Sequence, residues 1–230
     1  MLDNFSAVEE VIASDSSIRI FDYVDHYLIS DKHGHCATIE FLDGRMVSHT
    51  GKDLLAQVLS NSIYEESIDE WKKMSLQKTR GEAVSINGSS LGRFIQAADR
   101  VSAFKPTGSR AAVDTAFDIL EEVSGQKTKG SPTRWSIVFD TKNFRVYFKT
   151  IVHSEIRMID LRKLDFSCQS PVKMIDINEK ISGDITDQLK DYSFKLHFDH
   201  AVNAGKKWGL ETSPEELKEL IRFFGEFPCY

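Results

Sequence analysis

Cys36 to Thr50 reads CATIEFLDGRMVSHT, a pattern that fits a β-hairpin and little else. Ala37, Ile39 and Phe41 alternate with Thr38 and Glu40, the period of two that sends side chains to opposite faces of a strand. Asp43-Gly44 follows, a pair that tolerates the positive φ angles of a two-residue hairpin turn. HYLIS lies upstream across the turn DKHG, Asp31 to Gly34, so the region is expected to form an antiparallel meander. IRIF reads as a further strand, and VEEVIA, Val8 to Ala13, as a short helix. Downstream, AQVLS is expected to add one more strand, which ends on Asn61 where the chain enters a helix. Ser62 and Glu65 have the spacing of a capping box at that entrance.

Three helices are expected next, over Tyr64 to Met74, Arg93 to Phe104 and Ala111 to Val123, each with a one-faced apolar stripe. In the second of these, Phe94, Ala97, Ala98 and Val101 form the stripe. The polar linker SGQKTKGSPT closes the block. WSIVFD and RVYFKTIV then flank Thr141 to Phe144 as a second hairpin, with EIRMIDL and VKMIDI as further strands. Ser213, Pro214 and Glu216 announce a last helix, with Leu217, Leu220, Ile221 and Phe224 as its buried stripe. Strands, then helices, then strands, with few βαβ crossovers, imply an α+β fold of mostly antiparallel sheets and exclude a doubly wound one.

At 230 residues and a net charge of -6, the chain can bury a sizeable core and has no basic stripe, so no nucleic-acid partner is indicated. No apolar run reaches the roughly 20 residues that span a bilayer, so no membrane partner is indicated, and MLDNFSAVEE has acids where a signal peptide carries bases. Cys36, Cys168 and Cys229 are widely spaced and odd in number, and read as free, buried thiols rather than a disulfide framework or zinc site.

Several stretches invite a chemical reading. His33 and His35 in KHGHC could face a metal, but no third ligand pattern follows, and a polar turn is the simpler account. HFDH, His197 to His200, lacks the one-turn spacing of a zincin motif. Cys36 could be a nucleophile, though a cysteine opening an alternating strand is more often a small buried hydrophobe. NGSSLGRF, Asn87 to Phe94, precedes a helix but has no P-loop lysine, so a serine-capped helix start fits better than a phosphate cradle. Asn61, at a strand end, and Arg93, a cation in a first helical turn where it opposes the helix dipole, are the two residues that local stability does not explain.

FSAVEEVI, CATIEFLDGRMV, VLSNSIYEES, SSLGRFIQAADRV and TRWSIVFDTKNFRVYFKT, taken in order, resemble the choloylglycine hydrolase group of N-terminal nucleophile hydrolases. That group includes bile-salt hydrolases, penicillin V acylases and other linear-amide hydrolases. The family's strand end usually reads Leu-Thr-Asn, and its asparagine polarises the scissile carbonyl; Asn61 matches it, with Ser60 in place of threonine. The family's Ser-Arg-Phe matches Gly92-Arg93-Phe94, which implies that Arg93 stands at the nucleophile site.

The resemblance implies a single domain over residues 1-230: a four-layer αββα sandwich, incomplete, that lacks its N-terminal portion. These enzymes use an N-terminal cysteine whose own amino group serves as base. Met1-Leu2 supplies no such group, so the chain is expected to be inactive alone. It implies no metal or organic cofactor, a small-molecule acyl amide as the substrate of the complete enzyme, and self-association or homo-oligomers through open sheet edges. The other reading is a non-catalytic binding or assembly module that keeps the fold.

Overall fold

The structure is a computed structural model that describes residues 4–17, 26–105, 107–124, 132–209 and 212–225. IRIF, Met1-Leu2, Cys229, the middle of the SGQKTKGSPT linker and the side chain of Phe224 lie outside the described residues. A short helix, α1 (Val8–Ala13), leads into β1 (His26–Ser30), β2 (Cys36–Leu42) and β3 (Arg45–Thr50), a meander in the order β1-β2-β3. Its register runs from His26 opposite Glu40 to Ser30 opposite Cys36, and from Ala37 opposite Thr50 to Leu42 opposite Arg45. Asp43 and Gly44 take φ of 51° and 73°, the left-handed values that the hairpin turn requires.

The central strand β2 departs from the simple alternation. Ile39 and Phe41 pack with Val11 of α1, flanked by Phe5, Tyr27 and Met46. Thr38 and Glu40, on the opposite face, are also fully buried. An alternating strand ordinarily keeps its polar face in water; here that face is covered by the start of the next helix.

That helix, α2 (Tyr64–Thr79), is followed by α3 (Ser90–Ala103) and α4 (Ser109–Glu122). The core of this region joins Tyr64 and Ile68 of α2 to Phe94, Ala97 and Ala98 of α3, and takes in Ala56 and Val58 from the preceding segment. AQVLS is therefore buried at Ala56 and Val58 but is not a strand: residues 54–63 pair with no sheet among the described residues. A short apolar run signals burial without saying which element does the burying, and here α2 and α3 do it.

β4 (Trp135–Asp140), β5 (Arg145–Thr150) and β6 (Arg157–Asp160) form a second antiparallel set, which β8 (Gly183–Asp184) joins in parallel beside β6. α4 packs against β4, and Lys149 sits 5.5 Å above the Phe117 ring. VKMIDI contributes only β7 (Lys173–Met174), paired with β9 (Lys190–Asp191). Asp160 ties this set together. It bonds Arg162 (2.6 Å) and Arg145 (3.4 Å), while its own N–H donates to the Thr186 hydroxyl at 2.9 Å. The Arg162 guanidinium holds the Asp160 carboxyl well below the usual carboxylate range. Asp184, bonded by Lys163 and Thr186, is held down to about 2.

The chain ends in a helix pair, α5 (Phe194–Trp208) and α6 (Pro214–Gly225). The Ser213 and Glu216 capping box forms as expected, with the Glu216 N–H donating to the Ser213 hydroxyl at 3.2 Å and the Ser213 N–H to the Glu216 carboxylate at 2.9 Å. Of the expected stripe, Ile221 is buried, whereas Leu220 is half exposed. α5 lies outside the expected elements, because HFDH and its neighbours read as paired histidines and not as a helical repeat. Cys168 is disulfide-bonded, which corrects the reading of the cysteines as free thiols. Sequence spacing carries no information on whether two Cα atoms approach to the 4.4–6.8 Å typical of a bridge. Cys36 is a free thiol, but half-buried.

Candidate functional site

Asn61 lies on a bend in the irregular segment before α2 and is exposed. No strand supports it, and the Ser62–Glu65 capping box does not form: the residue preceding α2 is Ile63, with no side-chain cap of its own. The N–H of Tyr64 is instead bonded by both oxygens of the buried Glu40 carboxylate, at 3.0 and 3.2 Å. A carboxylate at a helix N-terminus meets the free amides and the positive end of the dipole together. It does so here from a different element, which spacing along α2 could not reveal.

Arg93 stands in the first turn of α3, whose start is built locally. Ser89 caps it, accepting from the Gly92 N–H at 3.1 Å, and the Asn87 side-chain oxygen accepts from the Ser89 N–H at 3.0 Å. This is the serine-capped start expected from NGSSLGRF. The Asn87 carbonyl lies so close over the helix that a Cβ on Gly92 would stand 1.9 Å from its oxygen. Glycine at position 92 is thus demanded by packing. Arg93 is half-buried, and among the described residues it forms no ion pair.

A hydrogen bond joins the two stretches. The hydroxyls of Ser60 and Ser90 meet at 3.0 Å, so the residue beside Asn61 touches the first residue of α3. Arg93 is three positions after Ser90 and shares its face of the helix. The structure thereby draws the Asn61 and Arg93 segments to one place although 30 residues separate the bonded serines.

The other candidates resolve into structural roles. Asp31, nearly buried, accepts from the N–H groups of His33 (2.8 Å) and His35 (3.1 Å) and from that of Val8 (3.4 Å). Burial opposes its charge, but these amides outweigh it and hold the carboxyl below its usual value. Glu9, Asp31 and His35 place ligand-type atoms within 4.8 Å of one another, yet the Asp31 oxygens are already committed to the turn and to the start of α1. His33 and His35 therefore belong to a braced turn. His197 takes a hydrogen bond with Tyr192 at 3.0 Å, on α5. Burial, with the Asp31 charge, pushes the Cys36 thiol up, away from the thiolate that a nucleophile needs. A cavity of about 710 Å³ lies against β5 and β6, lined by Arg145, Tyr147, Glu155 and Asp184 among others; neither Asn61 nor Arg93 lines it.

No protein-family model matches the chain. A penicillin V acylase of Pectobacterium atrosepticum is 27% identical, the match covering 73% of this chain and 52% of that protein. The structure of penicillin V acylase from Agrobacterium tumefaciens aligns with a TM-score of 0.70 at 26% identity, over 84% of this chain and 65% of that one. These relatives make the chain similar to the penicillin V acylase-like, choloylglycine hydrolase family. A variant of conjugated bile acid hydrolase from Clostridium perfringens shares the family fold, with a TM-score of 0.55 at 16% identity over 82% of this chain. The chain spans about half the length of the curated family member that it matches.

Proposed function

We propose that this chain forms the oxyanion and arginine side of a linear-amide hydrolase, with the cysteine nucleophile supplied from outside its sequence. Asn61 would donate to the oxygen of the tetrahedral intermediate, and Arg93 would orient the nucleophile or a substrate carboxylate. Substrates would be acyl amides of the penicillin V or conjugated bile acid kind. The observation that carries the reading is the Ser60–Ser90 bond, which brings the two family-like stretches together. The exposure of Asn61 and an Arg93 guanidinium with no ion pair among the described residues fit groups that await a reacting partner. The surrounding architecture would be the αββα sandwich of the family, with the remaining strands completing it. No metal or organic cofactor enters this chemistry.

The purified chain is expected to hydrolyse neither penicillin V nor glycine-conjugated bile acids. Fusing it to the corresponding N-terminal segment of a family member, with the cysteine exposed, should yield amide hydrolysis. Turnover by the chain alone, in a preparation free of host amidases, would show that the nucleophile lies within these 230 residues.

A second reading, an assembly module without catalysis, is favoured by one observation. Trp135 and Phe139 share one face of β4 and are 55% and 66% exposed, and β4 is an edge strand among the described residues. An apolar face beside an unpaired edge favours pairing with a second copy. Light scattering at micromolar concentration should show dimers or larger species, and Phe139→Lys should shift them toward monomer. A wild-type chain that stays monomeric would exclude this interface.

A further inference from the structure

The segment that carries Asn61 is not held by a sheet; besides the Ser60–Ser90 bond and the packing of Ala56 and Val58, what ties its two ends is Tyr64. The Tyr64 hydroxyl donates to the Ala56 carbonyl at 3.0 Å and accepts from the Ala56 N–H at 3.1 Å. One side chain thus takes both main-chain groups at the head of the segment. The Tyr64 N–H, at its tail, is bonded by Glu40. Tyr64 and Glu40 are almost wholly buried, at 1% and 0% exposure. Burial pushes the Tyr64 phenol up, so it keeps the proton that it donates. Glu40 is itself braced by His26 Nδ1 at 2.6 Å, across β1 and β2.

A helix start can be capped cheaply by a neighbouring serine or an exposed acid, as α3 and α6 show. Burying a carboxylate is costly unless every oxygen is bonded, and capping alone would not require a tyrosine that reaches back to Ala56. We propose that Tyr64 and Glu40 are positioning residues. Together they close residues 56–64 into a loop pinned to the centre of the meander, and so hold Asn61 in place without touching it. This inference rests on the role assigned to Asn61 above, but its first test does not.

Tyr64→Phe keeps the ring packed on Phe94 and His49, whose centroids lie 6.1 and 4.7 Å away, and removes only the two hydrogen bonds to Ala56. Hydrogen exchange in the full chain should then speed up by about tenfold or more at amides 56–63, a local opening, while amides of β2 and the interior of α3 keep their wild-type rates. Glu40→Leu should loosen the same amides, and Glu40→Gln, which retains one accepting oxygen, should restore most of the protection. In the active fusion, Tyr64→Phe should lower kcat by about tenfold to 10²-fold with KM nearly unchanged, since misplacing a transition-state group costs turnover more than binding. Unchanged exchange at 56–63 would overturn the proposal and leave Asn61 untouched. Faster exchange with unaltered kcat, in a fusion where Asn61→Ala is severely impaired, would overturn the positioning role while the reading of Asn61 stands.

Discussion

Gly92→Ser should destabilise the protein by about 3 kcal/mol or more, the upper end of what overpacking a close-packed site costs, although serine is what the resembled family usually carries there. The added Cβ would stand 1.9 Å from the Asn87 carbonyl oxygen. The obstacle is main chain, so no side-chain rotation relieves it. Relief requires the 87–89 turn to move, and that turn holds the Asn87 and Ser89 bonds that start α3. Urea unfolding should give a lower midpoint with an unchanged slope, which marks a change in stability and not in the denatured state. Gly92→Ala should lose as much, because the clash belongs to Cβ and not to the hydroxyl. Wild-type stability in both variants would show that the turn is not anchored where the structure puts it.

Asn61→Ala should have the larger effect on chemistry. In the active fusion it should lower kcat by about 10² to 10³, the usual cost of removing one oxyanion donor, with KM changed little. Thermal stability should hardly change, because Asn61 is exposed and surface substitutions away from caps and cores are nearly neutral. Ser62→Ala makes the control. It was expected to matter as a cap, but Glu40 does that work, so it should alter neither stability nor rate. A fusion in which Asn61→Ala retains full turnover would remove Asn61 from the mechanism.

The difference between Ser62 and Glu40 shows how far local pattern reaches. Ser213 and Glu216 have the same spacing as Ser62 and Glu65, and there the capping box forms. At Ser62 it does not, because a buried carboxylate from β2 reaches the first free amide. No signal in the sequence near Ser62 announces this. The one sign available is Glu40 itself, a lone carboxylate in the middle of a strand whose other positions are mostly apolar, and alternation says only that it faces away from Ile39 and Phe41. Ala56 and Val58 tell the same story from the apolar side: their burial was legible, but the choice between a sheet and a helical layer was not.

What could be read in the residues was a set of local starts and turns that close neighbours specify. The β2–β3 hairpin follows from alternation and Asp43-Gly44, the α3 start from Asn87 and Ser89, the α6 start from Ser213 and Glu216, and the ordered motifs carry the family resemblance. These contacts span a few residues, and their geometry is set by backbone preferences that hold wherever the segment lies. The tertiary structure alone decided that Ser60 meets Ser90, that Tyr64 reaches Ala56 while Glu40 holds Tyr64, and that Cys168 is bridged. The Ser60–Ser90 and Glu40–Tyr64 contacts join groups far apart along the chain, and the Tyr64–Ala56 link joins near ones. Even that link depends on burial against α3, because a buried polar group must find its partner within the fold wherever the packing places one.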